Sequence, residues 1–323
     1  LCTFAFIINL ILMKKLLFWA GIASVLAACS KDDQNSGNPN PSSQEENSQQ
    51  EAQVFPSQTK SWTDNEANAT KKTITINEGR ITSITSVVLQ NNNEYPISKQ
   101  TTTLSYDAGK NLPKEITTKI AFTGAQTRKL TLEQNSQGQL TSIREETGQT
   151  TTASFEYQNQ KLYKSINANG TVLTYTYPSA NTVVATRTDG DITDTYSYTI
   201  EQGNITKIVF EKKIRQQVTA TEISEYTYDT AVKNPTQGLL FQLLNADNLT
   251  YDETPYVPAF YSKKQMKTTK ITRTEGTHQE ITEFTYNITQ KNDKGYPTQI
   301  AITQKNTIGQ NVSTTHSYQS FGY

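Results

Sequence analysis

From about residue 73 to its end, the chain runs in short stretches in which apolar or aromatic residues alternate with polar ones. Thr73-Ile74-Thr75-Ile76, Thr103-Leu104-Ser105-Tyr106, Lys129-Leu130-Thr131-Leu132 and Ser154-Phe155-Glu156-Tyr157 set the pattern. Leu173-Thr174-Tyr175-Thr176-Tyr177, Thr195-Tyr196-Ser197-Tyr198, Glu225-Tyr226-Thr227-Tyr228 and Glu283-Phe284-Thr285-Tyr286 continue it. Period-two alternation built from Thr, Tyr, Ile and Phe predicts half-buried strands. Asp107-Ala108-Gly109, Ser136-Gln137-Gly138, Gln202-Gly203-Asn204 and Asn292-Asp293-Lys294-Gly295 supply turns, followed by partners such as Leu140-Thr141-Ser142-Ile143 and Ile205-Thr206-Lys207-Ile208. The unit is a hairpin, and Tyr157, Tyr177 and Tyr198, spaced 20 and 21 residues apart, mark it as a repeat. Connections this short cannot hold crossover helices, so the sheet is antiparallel. The predicted fold is all-β: a long up-and-down meander of repeated hairpins, forming a twisted sheet or half-barrel.

The rhythm breaks in a short apolar insertion near 233–263. Lys233-Asn234-Pro235 stops a strand, and Gly238-Leu239-Leu240-Phe241-Gln242-Leu243-Leu244 is the most apolar run of residues 29–323. A segment with its own apolar residues is expected to pack as a cap over the sheet, with a helical turn at 238–244 plugging the concave face. Tyr256, Phe260 and Tyr261 on it are candidate ligand contacts.

The first 58 residues follow other rules. Met13-Lys14-Lys15, the apolar run 16–25 and Leu26-Ala27-Ala28-Cys29 have the layout of a bacterial export signal ending in a lipidation cysteine. The alternatives are an ordinary signal peptide and a membrane helix over 1–28. The helix would bury Lys14 and Lys15 near mid-bilayer at about 2.5–3.5 kcal/mol each. Translation is expected to start at Met13, with 1–12 upstream of it. Cys29 is the expected lipid attachment site; each buried methylene contributes about 0.8 kcal/mol, so two or three acyl chains hold firmly. Residues 29–58 are Ser/Asn/Gln/Pro/Glu-rich and read as a disordered tether. A coil of that length spans roughly 30 Å. The expected organisation is signal over 1–28, lipidated tether over 29–58 and one β-meander domain over 59–323.

Composition narrows the chemistry. Cys2 and Cys29 are the only cysteines and His278 and His316 the only histidines. Beyond Cys29 this excludes disulfides, thiolate catalysis and Cys- or His-rich metal centres. With 30 basic and 30 acidic residues, nothing marks the chain for nucleic acid. The 34% hydrophobic content fits strands with one wet face better than a thick closed core. No metal, cofactor or catalytic residue is expected. Asp189-Gly190-Asp191 with Asp194 could offer oxygens to calcium, but Asp-Gly is a common hairpin turn and the rest of a calcium loop is missing. Glu145 and Glu146, adjacent on a strand, point to opposite faces and cannot act as an acid/base pair. No phosphate loop, H-E-x-x-H or G-x-S-x-G occurs.

Several strings carry resemblances. Ser30, Lys31, Asp32 and Asp33 resemble the short acidic export signal of surface-exposed lipoproteins of the Bacteroidota. Tyr226-Thr227-Tyr228-Asp229, Lys233-Asn234-Pro235 and Asn248-Leu249-Thr250 resemble elements of uncharacterised Bacteroidota lipoproteins built on a β-meander, and the hairpins are similar to the tyrosine-aspartate repeats of Rhs-type proteins. Asp229-Thr230-Ala231 resembles a Bacteroidota O-glycosylation sequon, making Thr230 its acceptor. These resemblances imply a fold and an outer-membrane address, facing outward or into the periplasm, and no catalytic residue. The expected function is non-catalytic: a binding or structural protein held by its lipid, with a glycan or protein partner. An accessory role in glycan uptake and a cryptic hydrolase stand as alternatives.

Overall fold

In the computed structural model, the residues described are 54–110, 112–121, 126–146, 151–166, 170–237 and 261–323. The Cys29 lipidation site, the 30–33 export signal and most of the insertion lie outside them. The alternating segments form eighteen strands: β1 Gln58–Trp62, β2 Thr70–Asn77, β3 Arg80–Gln90, β4 Asn93–Ser105, β5 Glu115–Ile120, β6 Gln126–Gln134, β7 Leu140–Glu145, β8 Thr151–Gln158 and β9 Lys161–Ile166. Then follow β10 Val172–Ser179, β11 Thr182–Asp189, β12 Ile192–Glu201, β13 Asn204–Ile214, β14 Gln217–Lys233, β15 Lys264–Glu275, β16 His278–Lys291, β17 Pro297–Ile308 and β18 Asn311–Gly322. Each pairs antiparallel with its neighbours in sequence, and β1 also pairs with β18, so the meander closes into a barrel. Closure goes beyond the expected half-barrel. It rests on Gln58–Trp62, a stretch whose sequence carries no clear alternation.

The two faces of the wall differ sharply. Ile74, Ile84, Leu104, Ile116, Leu130 and Leu173 point inward and are buried, joining Tyr175, Tyr198 and Tyr226 in one continuous core. The interior is therefore packed, where composition had suggested only thin burial. Few apolar residues suffice because a closed ring turns one face of every strand toward the others. The outer face carries mostly Thr, Ser, Lys and Glu, with a small apolar cluster of Ala69, Val87, Leu89 and Trp62 near one end. Across β13 to β17 the outward residues Lys207, Glu225, Lys270, Glu283 and Lys305 stand directly opposite one another in turn, an alternating charge row. Lys129 likewise lies 3.0 Å from Glu115 and 3.1 Å from Glu146. A lysine on the lipid face of a membrane barrel costs about 2–4 kcal/mol at mid-bilayer.

A bulge recurs where hairpins join. In β3, β7, β9, β13 and β15 one extra residue (Thr82, Thr141, Tyr163, Thr206 and Lys267) sits between paired positions. It lets two residues three apart face inward together: Ile81 with Ile84, Leu140 with Ile143, Ile205 with Ile208. The carbonyl just before the extra residue accepts a tyrosine hydroxyl from the other strand of the hairpin. Tyr106 donates to Ile81, Tyr157 to Leu140 and Tyr177 to Leu162, each at 2.8 Å, and Tyr228 donates to Ile205. Tyr323 does the same for Pro297 at 3.1 Å, and the Gln134 side-chain amide donates to the Leu112 carbonyl ahead of β5, where no extra residue occurs, at 3.1 Å. These locks lie at one end of the barrel, which we term the dry end.

The chain enters at that end: Val54 donates its backbone N–H to the Tyr296 hydroxyl and Phe55 packs on the core. The excursion between β14 and β15 also leaves from and returns to it. Buried Asn234 explains why Lys233-Asn234-Pro235 ends a strand: its amide donates to the Ser262 carbonyl at 2.7 Å while its oxygen accepts from Thr236. The Ser262 hydroxyl bridges onward, donating to Tyr228 and accepting from the Ile205 amide.

Two substitutions separate locked from unlocked tyrosines. Tyr177→Phe strands the Leu162 carbonyl and is expected to cost about 1–3 kcal/mol in urea unfolding. Tyr198→Phe removes a buried hydroxyl that has no hydrogen-bond partner among the described residues, so its stability is expected to be unchanged or higher. The polar wall makes a second prediction: residues 54–323, produced without the leader, partition into the aqueous phase of a detergent phase separation. Recovery in the detergent phase would mean that the outer face meets lipid.

Candidate functional site

The interior changes character along the barrel axis. Toward the end away from the locks, the wet end, inward positions pass from Ile and Tyr to charged residues. On β6 and β7, Arg128 grips Glu145 through two hydrogen bonds of 2.8 and 3.3 Å. On β11 and β12, Arg187 pairs with Asp194, which is only 6% exposed. On β14 and β15, Arg273 stands directly opposite Glu222 and bonds to it at 2.6 Å. Strand pairing places each of these pairs across adjacent strands and on the same face as the core.

Two interior cations stand apart. Lys212 lies directly opposite Asp194 across β12 and β13, yet no ion pair joins them, and the second carboxylate oxygen of Asp194 has no partner among the described residues. Lys72 shares the inward face of Ile74, between Thr59 and Ser86, and has no ion-pair partner among the described residues. Surrounding protein strips water from its ammonium and lowers its pKa from the ordinary 10.5. In the core the same loss of water raises the pKa of Tyr175, Tyr198 and Tyr226, keeping those hydroxyls neutral.

Most exposed large apolar residues stand around the wet rim, among them Val88, Tyr95, Ile97, Ile214, Val218 and Val312. The wall is also notched there. β1 stops at Trp62 while its neighbour β18 continues, and a hollow of about 750 Å³ opens between them and the start of the β3–β4 turn. Ser61, Thr70, Val88 and Ser317 line it together with Asn68 and Asn91. Trp62 lies at its base, its ring stacked 5.6 Å from that of Tyr318.

The residues singled out in the sequence do not converge. Asp189 and Asp191 flank a turn whose Gly190 has φ +56°, and Asp191 pairs outward with Arg215 at 3.0 Å. Asp194 faces the interior instead, so the three carboxylates form no ion cage. Glu145 points inward to Arg128 and Glu146 outward to Lys129, as adjacent strand positions must. Tyr261 is half-buried against the core at the dry end. Tyr256 and Phe260 lie outside the described residues. Thr230 is exposed beside Asp229, whose carboxylate accepts the Ala231 amide in a local turn. Sequence reading missed the interior arginines. The one signal available was that Arg128, Arg187 and Arg273 fall at even offsets from Leu130, Ala185 and Ile271, all buried.

The neighbouring glutamates separate inner face from outer. Glu145→Ala leaves the Arg128 guanidinium without its carboxylate and is expected to cost about 2 kcal/mol in chemical unfolding. Glu146→Ala is expected to leave the melting temperature unchanged.

No protein-family model matches the chain, and no curated protein matches it. Among solved structures, the chain is similar to a porin-like protein from Bacteroides uniformis at 13% identity, with 83% of this chain and 99% of that chain covered and a TM-score of 0.43. It is also similar to a porin-like protein from Bacteroides vulgatus at 11% identity, with 83% and 98% covered and a TM-score of 0.39. At these values the likenesses carry no argument about what this chain does or where it resides.

Proposed function

We propose that this chain is a lipid-anchored outer-membrane protein that displays a water-facing barrel outside the cell and binds a partner without catalysis. One observation carries the reading. The segment that leads back to Cys29 joins the barrel at its dry end, beside Tyr296, while the charged interior, the apolar rim and the notch lie at the opposite end. A tether attached there turns the featureful end away from the membrane. The charged wall of the barrel fits a body held near the lipid by its anchor, and not one embedded in it. The interior carboxylates support the non-catalytic part: Glu145, Asp194 and Glu222 are each engaged by an arginine and so are poorly placed for proton transfer. The contact surface in this reading is the wet rim rather than Tyr256, Phe260 and Tyr261 on the insertion.

Protease treatment of intact cells tests the address. Wild-type protein is expected to be digested, and a variant with Lys31, Asp32 and Asp33 all changed to alanine is expected to be protected. Protection of both, with the outer membrane intact, would place the barrel in the periplasm.

A further inference from the structure

The ring that β1 closes is incomplete. β1 pairs with β18 only from Tyr318 to Gly322, whereas β18 begins at Asn311. The seven residues 311–317 are paired to β17 on one side and to no described strand on the other. All but Ser317 are exposed. Proteins usually blunt such an edge with lysine, proline or a bulge, because a row of unpaired backbone groups is a template for another strand. Asn311-Val312-Ser313-Thr314-Thr315-His316-Ser317 has neither residue type, and its register with β17 runs without a shift.

The hollow beside this edge has a consistent chemistry. None of its lining residues is charged, although 19% of the chain is. The hydroxyls of Ser61, Thr63, Thr70 and Ser317 make no hydrogen bond to other described residues, and Val88 and Val312 are exposed on the inner and outer sides of the gap. A backbone edge offers donors and acceptors at the repeat of an extended chain, about 3.4 Å per residue. A sugar could stack on Trp62, but it would leave most of that row unpaired. Another extended backbone satisfies all of it.

We propose that the notch is a peptide-binding site, in which an uncharged, extended segment of another polypeptide adds as a strand to the 311–317 edge. Its side chains alternate between the hydroxyl-lined hollow and the outer surface near Val312. A charged residue facing the hollow would lose water and meet no counter-charge among the lining residues, which favours neutral residues there. The inference rests on the reading of this barrel as a non-catalytic binding protein and deepens it by naming ligand class and position.

Amide hydrogen exchange on the full chain tests it. The probe is a capped ten-residue peptide alternating valine and threonine. The controls are the same peptide with lysine for threonine, the same peptide with two central prolines, and a neutral glucose oligosaccharide. Exchange at 311–317 is expected to slow roughly tenfold or more with the first peptide only. No protection with any peptide would overturn the proposal. Equal protection by the proline-broken peptide would do so as well, since that peptide cannot pair. Protection by the lysine peptide would overturn the preference for neutral segments. Binding of the oligosaccharide alone would make the notch a sugar site. Cleavage of the recovered peptide, read by mass, would sink the non-catalytic reading while leaving the site in place.

Discussion

The extra residue near the start of β3, β7, β9, β13 and β15 is the constraint on which the interior depends. A regular strand shows every second side chain to the core, so residues three apart would face opposite ways. In these five strands the bulge cancels that parity and brings Ile81, Leu140, Leu162 and Ile205 inward together with the residues three positions on. It also leaves a carbonyl turned out of the ladder, and a buried carbonyl without a partner is costly. The tyrosine that reaches back to it solves both problems, since its ring fills the space beneath the turn and its hydroxyl satisfies the acceptor. Only one end of the barrel is sealed in this way, which is why the other end can hold charge.

Much of this was legible in the chain. Alternating Thr and Tyr segments became strands, glycine-bearing turns fell between them, and the Tyr157, Tyr177 and Tyr198 spacing did mark one hairpin per unit. Leu140-Thr141-Ser142-Ile143 and Ile205-Thr206-Lys207-Ile208 became the expected partner strands, β7 and β13, although simple alternation would put their apolar ends on opposite faces. Apolar residues three apart at the start of a strand were the trace of a bulge. Closure was not legible, because Gln58–Trp62 pairs with residues more than 250 positions away and carries no strong pattern of its own. The interior arginines were hidden for a related reason. Pairing Arg128 with Glu145, or Arg273 with Glu222, requires a register, and no local rule supplies one.

The axis from tyrosine to arginine organises the molecule as a gradient of dielectric environment. At the dry end hydroxyls are held neutral and paired to backbone. Midway, Tyr198 is buried without a hydrogen-bond partner among the described residues. At the wet end the three interior arginines are each matched by a carboxylate, and Lys72 and Lys212 have no ion pair among the described residues. Polar groups inside a closed wall are tolerated here because the wet end and its notch admit water, so their desolvation is partial. The charged row on the outside and the charged pairs on the inside thus differ in kind. The first forms a ladder of paired charges on the outer face, whereas the second lines an opening.

The way β1 sits in the wall also determines how the barrel bears load. Residues 54–57 lead directly into β1, which lies between β18 and β2, so a pull on the chain ahead of them runs along the strand. Such a pull stretches the hydrogen bonds on both sides of β1 at once, in shear, and does not open them one after another from a strand end. A strand of five residues held in this way resists pulling far better than its length suggests. When it does yield, it takes with it the one seam that makes the sheet a barrel.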